Sequence, residues 1–241
     1  MKHTLKDFPT PFISPDGKAD FLIVFGEGSR DCSDYIKWMK TQHITHPPIY
    51  QPGRRGDFDY TLSLGILLGY IIAKRSSGNY VSLPYGRQGF MVTEEEKKGH
   101  NLILIGSGAV NSLTKEIFNF YGEYLPVRFS SPNSDNQIIS DIVSRKTFSK
   151  RYENEANVGL LALLPSPYNK EKLALIAAGL NVTGTQAALL ALCNSWRSPI
   201  TNSLRRFENS SIEVPIRLVE AVDVRFEKGL EITDNYRFLE V

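Results

Sequence analysis

Three short apolar runs divide the chain, and each is followed by glycine and then by polar residues. The runs span residues 21–25, 101–105 and 173–178. Uninterrupted apolar runs of this length, bounded by turn residues, are typical of strands buried on both faces of a sheet. Because a strand that passes through a glycine turn into a helix is a crossover unit, the pattern predicts an α/β protein.

Helices are predicted where apolar residues recur at helical spacing. The predicted helices are residues 31–40, a segment that follows a proline-rich loop at 45–56 and ends at Ala73, residues 112–121 and residues 185–193. Asp57 and Asp59 are candidate N-caps of the second helix, because a carboxylate oxygen can accept a hydrogen bond from a first-turn amide.

Residues 60–73 form the most apolar window of the chain. The window falls short of the roughly 20 apolar residues that a membrane-spanning helix needs. Gly65 and Gly69 also interrupt it. We therefore predict a buried helix here and no transmembrane segment.

The C-terminal strands follow a different pattern. The apolar runs 158–164 and 173–178 are joined by the short segment 165–171, which leaves no room for a crossover helix, so these two strands should be antiparallel. Further strands are predicted near residues 79–83, 212–225 and 232–240. The expected fold is a Rossmann-like, three-layer α/β structure with a mixed sheet and an antiparallel C-terminal portion.

Composition divides the chain into three parts. Residues 1–127 form an α/β N-terminal half, and residues 158–241 form a C-terminal α/β half. Between them, residues 128–157 are rich in serine, asparagine and charged residues, which predicts a polar surface excursion. We expect the two halves to pack as one domain.

Charge argues against a nucleic-acid partner. The chain has 28 Lys and Arg against 26 Asp and Glu, a net charge of +2, whereas proteins that bind nucleic-acid phosphates concentrate basic residues. The N-terminal residues contain no apolar core of the kind that a secretory signal needs. The sequence as written therefore indicates a cytoplasmic protein, or a cell-surface protein if a leader has been removed.

The cysteines and histidines give no pattern of a metal centre. Cys32 and Cys193 stand far apart and form no Cys-x-x-Cys pair, so reduced thiols are expected. His43 and His46 have a spacing that can bind metal, but the two prolines that follow disfavour a local helix. We expect no metal site.

The loops that follow the parallel strands are the candidate binding site, because in open α/β sheets these loops gather at one edge and form a crevice. Amides at the start of the following helices favour an anionic ligand. The candidate ligand-binding residues are Gly26, Gly28, Ser29, Arg30, Gly106, Ser107, Gly108, Asn111, Gly184 and Thr185, together with Asp57 and Asp59 from a separate charged cluster.

The same residues have a structural interpretation. Neither Gly26-x-Gly28 nor Gly106-x-Gly108 has the third glycine of a dinucleotide fingerprint, and no phosphate-binding Gly-Lys-Ser/Thr follows either pair. Turn formation explains the glycines, and helix capping explains the two aspartates. We expect no cofactor.

Five sequence segments, in order along nearly the whole chain, resemble the α/β module of archaeal surface-layer (S-layer) proteins. The segments are residues 8–12, residues 101–111, residues 163–168, residues 175–179 with 184–188, and residues 238–240. The resemblance implies a non-catalytic structural module of a cell-surface lattice, whose partner is a second copy of itself.

Two other functions compete with self-association. A soluble binding or sensor domain could hold an anionic, nucleotide-like small molecule in the strand-end crevice. This function requires five side chains to converge around one pocket: Ser29, Arg30, Ser107, Asn111 and Thr185. An enzyme is the third reading, with Arg30 and either Asp57 or Asp59 as participants, although a fold alone supplies no reaction.

Overall fold

A computed structural model describes residues 3–26, 55–76, 86–130, 137–149, 157–195, 197–200, 204–206, 213–227 and 230–240 of the chain. The helix predicted at residues 31–40 and the strand predicted near residues 79–83 lie outside these ranges.

The described residues contain four α-helices, three short 3-10 helices and thirteen strands. The α-helices are α1 (Arg55–Arg75), α2 (Glu94–Gly99), α3 (Ser112–Tyr121) and α4 (Val182–Asn194), and the 3-10 helices are Leu5–Asp7, Gly89–Met91 and Gly122–Tyr124. The strands are β1 (Phe21–Phe25), β2 (Gly86–Gln88), β3 (Asn101–Ile105), β4 (Val127–Ser130), β5 (Ile138–Asp141), β6 (Lys146–Ser149), β7 (Val158–Pro165), β8 (Leu173–Gly179), β9 (Leu204–Arg206), β10 (Glu213–Val222), β11 (Arg225–Glu227), β12 (Leu230–Ile232) and β13 (Asn235–Phe238).

Eight strands form the main sheet, in the order β13-β10-β7-β8-β3-β1-β2, with β9 paired to β10 outside this path. Strands β2, β1, β3 and β8 are mutually parallel. Strand β7 runs antiparallel to β8, and β10 runs antiparallel to β7, β9 and β13. The prediction of an α/β fold with a mixed sheet and an antiparallel C-terminal portion is therefore confirmed.

The main sheet is the middle one of three layers. Successive side chains of a strand point to opposite faces. Ile23 and Ile103 accordingly pack with the buried sides of α1 and α4, whereas Leu22 and Leu102 pack with α3 and with strands β4 and β5. Both faces of the central strands are covered, which explains why their sequences are apolar without alternation.

The polar segment 128–157 contains more regular structure than the sequence predicts. Strands β4, β5 and β6 form a separate antiparallel sheet in that order. Ile139 is fully buried, and Phe129 and Phe148 pack against the same core. These strands were not predicted, because only a few apolar residues on one face dock this small sheet on the core.

Helix α1 departs from its prediction at its start. It begins at Arg55, within the stretch predicted as a loop, and Asp57 and Asp59 lie inside the helix rather than at its N-cap. The last proline of the loop is Pro52, so every helical residue keeps an amide that can donate within the helix. Only the backbone positions of the two aspartates are described.

Only one side of α1 is buried, which corrects the prediction of a buried helix. Leu64 and Leu68 are packed in the core. On the other side, Leu62, Ile66 and Tyr70 are 51%, 65% and 62% exposed. Helix α1 therefore has apolar residues on the side that packs against the sheet and also on the side that faces solvent.

Both ends of α1 are fixed to other parts of the chain. Near its start, the hydroxyl of Tyr60 donates a hydrogen bond to the carbonyl oxygen of Thr233. At its last residue, Nη1 of Arg75 donates to the carbonyl oxygen of Ile13 at 2.6 Å. The helix is thus tied to the C-terminal strands at one end and to the N-terminal segment at the other.

Gly65→Ala and Gly69→Ala are each expected to stabilise the protein. Apart from neighbouring residues and the backbone of α1 itself, no atom of the described residues lies within 4 Å of a Cβ placed at either position. Alanine favours a helix interior over glycine by about 0.8–1.0 kcal/mol. We expect the melting temperature to rise by about 2–4 °C for a chain of this size, as measured by calorimetry. A lower melting temperature would contradict the open surroundings of these residues.

Candidate functional site

The carboxyl ends of β1, β3 and β8 lie side by side, as the strand-end hypothesis requires. Val24 is paired with Leu104 in the β1–β3 ladder. The amide of Gly106, just after β3, donates to the carbonyl oxygen of Ala177 in β8 at 2.9 Å. Since these strands are parallel, the segments that leave them emerge at one edge of the sheet.

Asn111 joins two of these strand ends. Its Nδ2 donates to the carbonyl oxygens of Val24 and Ile105 at 3.1 and 3.0 Å. Its Oδ1 accepts from the amide of Thr114 at 3.2 Å, which caps α3. The side chain is buried. Its Nδ2 thus links the ends of β1 and β3, whereas its Oδ1 caps α3.

Val110 fills the remaining space beside Asn111. A Cβ at Gly106 would lie 2.7 Å from Cγ2 of Val110, and a Cβ at Gly26 would lie 3.1 Å from the same atom. Gly106 also has a φ of +98°, which favours glycine. A Cβ at Gly108 would lie 3.2 Å from Cα of Lys115. The described glycines of these loops therefore allow the α3 turn to pack closely on the strand ends.

The start of α4 is similarly occupied by local hydrogen bonds. Oδ1 of Asn181 accepts from the amide of Gly184 at 2.8 Å, and Nδ2 of Asn181 donates to Oδ1 of Asn157 at 2.7 Å. The hydroxyl of Thr183 donates to Oδ1 of Asn157, and that of Thr185 donates to the carbonyl oxygen of Asn181. This cap explains why α4 begins at Val182, before the predicted position.

Three glycines bring α4 into backbone contact with the sheet. A Cβ at Gly159 would lie 2.1 Å from the carbonyl oxygen of Gly184, and a Cβ at Gly184 would lie 2.4 Å from that of Val158. A Cβ at Gly179 would lie 2.2 Å from the amide nitrogen of Thr185. Gly184 and Thr185 therefore form a packing contact between α4 and strands β7 and β8.

The predicted site residues are thus divided into four groups. Gly26, Gly106, Ser107, Gly108 and Asn111 gather at the ends of β1 and β3, where Ser107 and Asn111 are buried, while Gly184 and Thr185 pack at the end of β8. Gly28, Ser29 and Arg30 lie outside the described residues, and Asp57 and Asp59 are placed in α1. The convergence of Ser29 and Arg30 with Asn111 stays a prediction.

A polar cluster that the sequence did not indicate lies at the opposite edge of the sheet. Nζ of Lys172 lies 2.7 Å from Oδ2 of Asp20, and Nδ1 of His100 lies 3.3 Å from Oδ1. Nδ2 of Asn101 donates to the carbonyl oxygens of Asp20 and Pro11 at 2.8 and 3.2 Å. These contacts tie the N-terminal segment to the beginnings of β1, β3 and β8.

A second polar cluster joins α2, α3 and the β7–β8 connection. Nζ of Lys97 lies 2.9 Å from Oε1 of Glu94 and 3.1 Å from Oε2 of Glu116, and the hydroxyl of Tyr168 donates to Glu116 at 2.6 Å. Burial lowers the pKa of Lys97, but its bonds to the two carboxylates outweigh this and raise it. Burial and Glu116 raise the pKa of Tyr168. Both groups therefore stay protonated and act as donors.

Metal ligands do not cluster in the part of the chain that the structure describes: it contains no group of three or more His, Cys, Asp or Glu that could hold an ion. His43 and His46 lie outside that part.

Two exposed apolar surfaces stand out among the residues that the structure describes. The first, the helix patch, consists of Leu62, Ile66 and Tyr70 on the outer side of α1. Contiguous apolar surface that is exposed on a protein marks an interaction site more often than single exposed side chains do. Since Leu62, Ile66 and Tyr70 are spaced by four residues, they lie on one side of the helix.

The second surface, the corner patch, consists of Phe120, Tyr124, Ile142 and Val143, all exposed. Phe120 lies in α3 and Tyr124 in the 3-10 helix that follows it. The amide of Ile142 donates to the carbonyl oxygen of Pro126 at 2.9 Å, which brings the turn after β5 next to the segment after Tyr124.

The sequence did not indicate either patch. Residues 62, 66 and 70 do have a helical spacing, but residues 64, 67, 68, 71 and 72 are apolar too, so no polar side of α1 indicated which stripe faces solvent. The corner patch combines residues from two segments that a small sheet brings together, and that sheet was not predicted.

Cys193 is expected to react slowly with thiol reagents. Burial raises the pKa of its thiol to about 11, from 9.0. At pH 8 the thiolate fraction is then about 100-fold lower than for a thiol of pKa 9, because each pKa unit changes it tenfold. In a Cys32→Ser variant, maleimide labelling at pH 8 should be slow and should accelerate on denaturation. Equal rates in the folded and unfolded protein would contradict the burial of this thiol.

No protein family and no curated protein matches the chain. Within the described ranges, the helices are too short or too polar to span a membrane.

Proposed function

We propose that the chain is a non-catalytic, S-layer-like structural module whose function is self-association. The observation that carries the proposal is the presence of two exposed apolar patches in opposite outer layers. The helix patch lies on α1, which covers one face of the main sheet, and the corner patch lies in the layer that covers the other face.

The placement of the patches favours an open assembly. If each patch contacts the same patch of another copy, every molecule acquires neighbours on two opposite sides, and the contacts do not close into a ring of two. Burial of apolar side chains provides the driving force, at roughly 25 cal/mol per Å² of apolar area. The resemblance of the sequence to S-layer modules supports the same function.

Self-association is tested by light scattering across a concentration series at physiological salt. We expect the mean mass to increase continuously with protein concentration. Ile66→Asp and Tyr124→Asp should each stop growth at dimers, because one patch remains in each variant. The double variant should be monomeric.

Ser198→Asp is the matched control, because it adds the same charge at an exposed position outside both patches. It should assemble like the unmodified protein. A constant monomer mass for the unmodified protein at every concentration would overturn the proposed function.

A further inference from the structure

We infer that the turn after β3 binds the phosphate group of a small molecule. The turn, which we call the β3 turn, comprises residues 107–110 and precedes α3. The inference concerns the carboxyl edge of the sheet and is independent of the self-association proposed for the two apolar patches.

The β3 turn lies where adjacent strands send the chain to opposite faces of the sheet. Strands β1 and β3 are neighbours and parallel. The next described helix after β1 is α1, whose Leu64 packs on one face, whereas α3 follows β3 and its Leu113 packs on the other. In open α/β sheets, ligands bind at the carboxyl edge at such a switch point.

Two backbone donors of the β3 turn are free. The carbonyl oxygen of Ser107 accepts from the amides of Val110 and Asn111 at 3.0 and 2.9 Å, so a helical turn begins at Ser107. The amides of Gly108 and Ala109 have no acceptor among the residues that the structure describes. Both residues are only partly buried. Unpaired amides at the start of a helical turn attract anions.

The side chain of Ser107 gives a separate indication of a ligand. Ser107 is only 3% exposed, yet its hydroxyl has no hydrogen-bond partner within the described ranges. The oxygen is not one of the unpaired polar atoms that are fully enclosed, so it opens to solvent. Because Ser107 is the first residue of the turn, its hydroxyl lies at the same end as the amides of Gly108 and Ala109. A buried hydroxyl without a partner costs free energy that a bound acceptor would recover.

Lys115 adds a positive charge beside the same turn. A Cβ at Gly108 would lie 3.2 Å from Cα and Cβ of Lys115, so the lysine side chain starts against the turn. This side chain is exposed and forms no ion pair in the part of the chain that the structure describes. Its flexible four-carbon stem can bring the ammonium group to an anion that the amides hold.

The number and kind of donors favour phosphate. A phosphate group has three strong acceptor oxygens that point in different directions, so it can accept from the amides, the hydroxyl and the lysine together. A carboxylate has two oxygens in one plane, which suits donors that approach from fewer directions. The expected ligand is therefore inorganic phosphate or a small phosphate ester.

Titration of the isotope-labelled protein with inorganic phosphate, followed by NMR, tests the site. We expect saturable shifts at millimolar concentrations that are largest for the amides of Gly108 and Ala109. Methyl phosphate distinguishes the two sources of the ligand: binding of both compounds indicates a site for a phosphate ester, and binding of inorganic phosphate alone indicates a site for the free anion. Equal shifts with acetate would overturn phosphate as the ligand class.

Ser107→Ala removes the hydroxyl and keeps the backbone. The dissociation constant for inorganic phosphate should rise about tenfold, which corresponds to one hydrogen bond to a charged group. The melting temperature without phosphate should not fall, because the hydroxyl has no partner in the described structure. Ser195→Ala is the matched control, since Ser195 is also buried but donates to the carbonyl oxygen of Leu192 at 2.7 Å. That variant should lose stability and keep its affinity for phosphate.

Lys115→Gln removes the positive charge beside the turn. We expect the dissociation constant for inorganic phosphate to rise about threefold, a modest change because the lysine is exposed to solvent. Lys170→Gln is the control for charge, because Lys170 is also exposed but lies in the β7–β8 connection. It should leave phosphate binding unchanged.

Three results would overturn the inference. The first is the absence of saturable shifts at Gly108 and Ala109, and the second is an unchanged affinity for phosphate in Ser107→Ala. The third is a fall in the melting temperature of Ser107→Ala as large as that of Ser195→Ala, which would give the hydroxyl a structural role. None of them bears on the proposed self-association, since Ser107 and Lys115 lie outside both apolar patches.

Discussion

Gly159→Ala is expected to lower the free energy of unfolding by about 3 kcal/mol or more, a large part of the 5–15 kcal/mol typical of a domain. The added Cβ would lie 2.1 Å from the carbonyl oxygen of Gly184 and 3.0 Å from its carbonyl carbon. These are backbone atoms of a helix, so no side chain can rotate away. Relief requires α4 to move off the sheet.

Movement of α4 is costly because the helix is embedded in the core. Gln186, Ala187, Ala188 and Leu189 are fully buried, and tightly packed interiors absorb displacements poorly. Equilibrium denaturation measures the effect, with Gly99→Ala as the control for the same substitution in open surroundings. A loss below about 1 kcal/mol for Gly159→Ala would show that helix and sheet separate easily.

Asn111→Asp is expected to destabilise the fold by about 3 kcal/mol, as much as Asn111→Ala or more. Aspartate retains the oxygen that caps Thr114, but its second oxygen would face the carbonyl oxygens of Val24 and Ile105, which now accept from Nδ2. The site is buried, so neither water nor a counterion relieves this repulsion.

Asn169→Asp is a matched control for the Asn111 substitution. Nδ2 of Asn169 also donates to a carbonyl oxygen, that of Lys98, but this bond is exposed to solvent. We expect a change below about 1 kcal/mol by chemical denaturation. If Asn111→Asp were equally mild, the amide of Asn111 would not be what joins β1 to β3.

Local patterns were sufficient to predict several elements. The apolar run at 101–105 is β3, the helix predicted at 112–121 is α3, and the short connection after residue 164 joins antiparallel strands. These features depend on residues close in sequence. An unbroken apolar run, a capping residue before an amphipathic segment and a short loop each restrict the backbone conformation locally. None of these restrictions depends on residues that are distant in sequence.

The roles of the loop residues depend on distant partners and were not predictable in the same way. Asn111 bonds to Val24, which is 87 positions away, and Gly159 meets Gly184 only because α4 lies across β7. The packing roles of Asn111 and Gly159 therefore become visible only in the tertiary arrangement.

The attachment of α1 at its two ends has a mechanical consequence. A force applied through the helix patch by a neighbouring molecule reaches the Tyr60–Thr233 bond and the Arg75–Ile13 bond together. Because the two hydrogen bonds share the force, both must break before the helix is released. In the proposed assembly, tension on α1 would thus be passed to the segments around Ile13 and Thr233, and both bonds would oppose removal of α1 from the sheet.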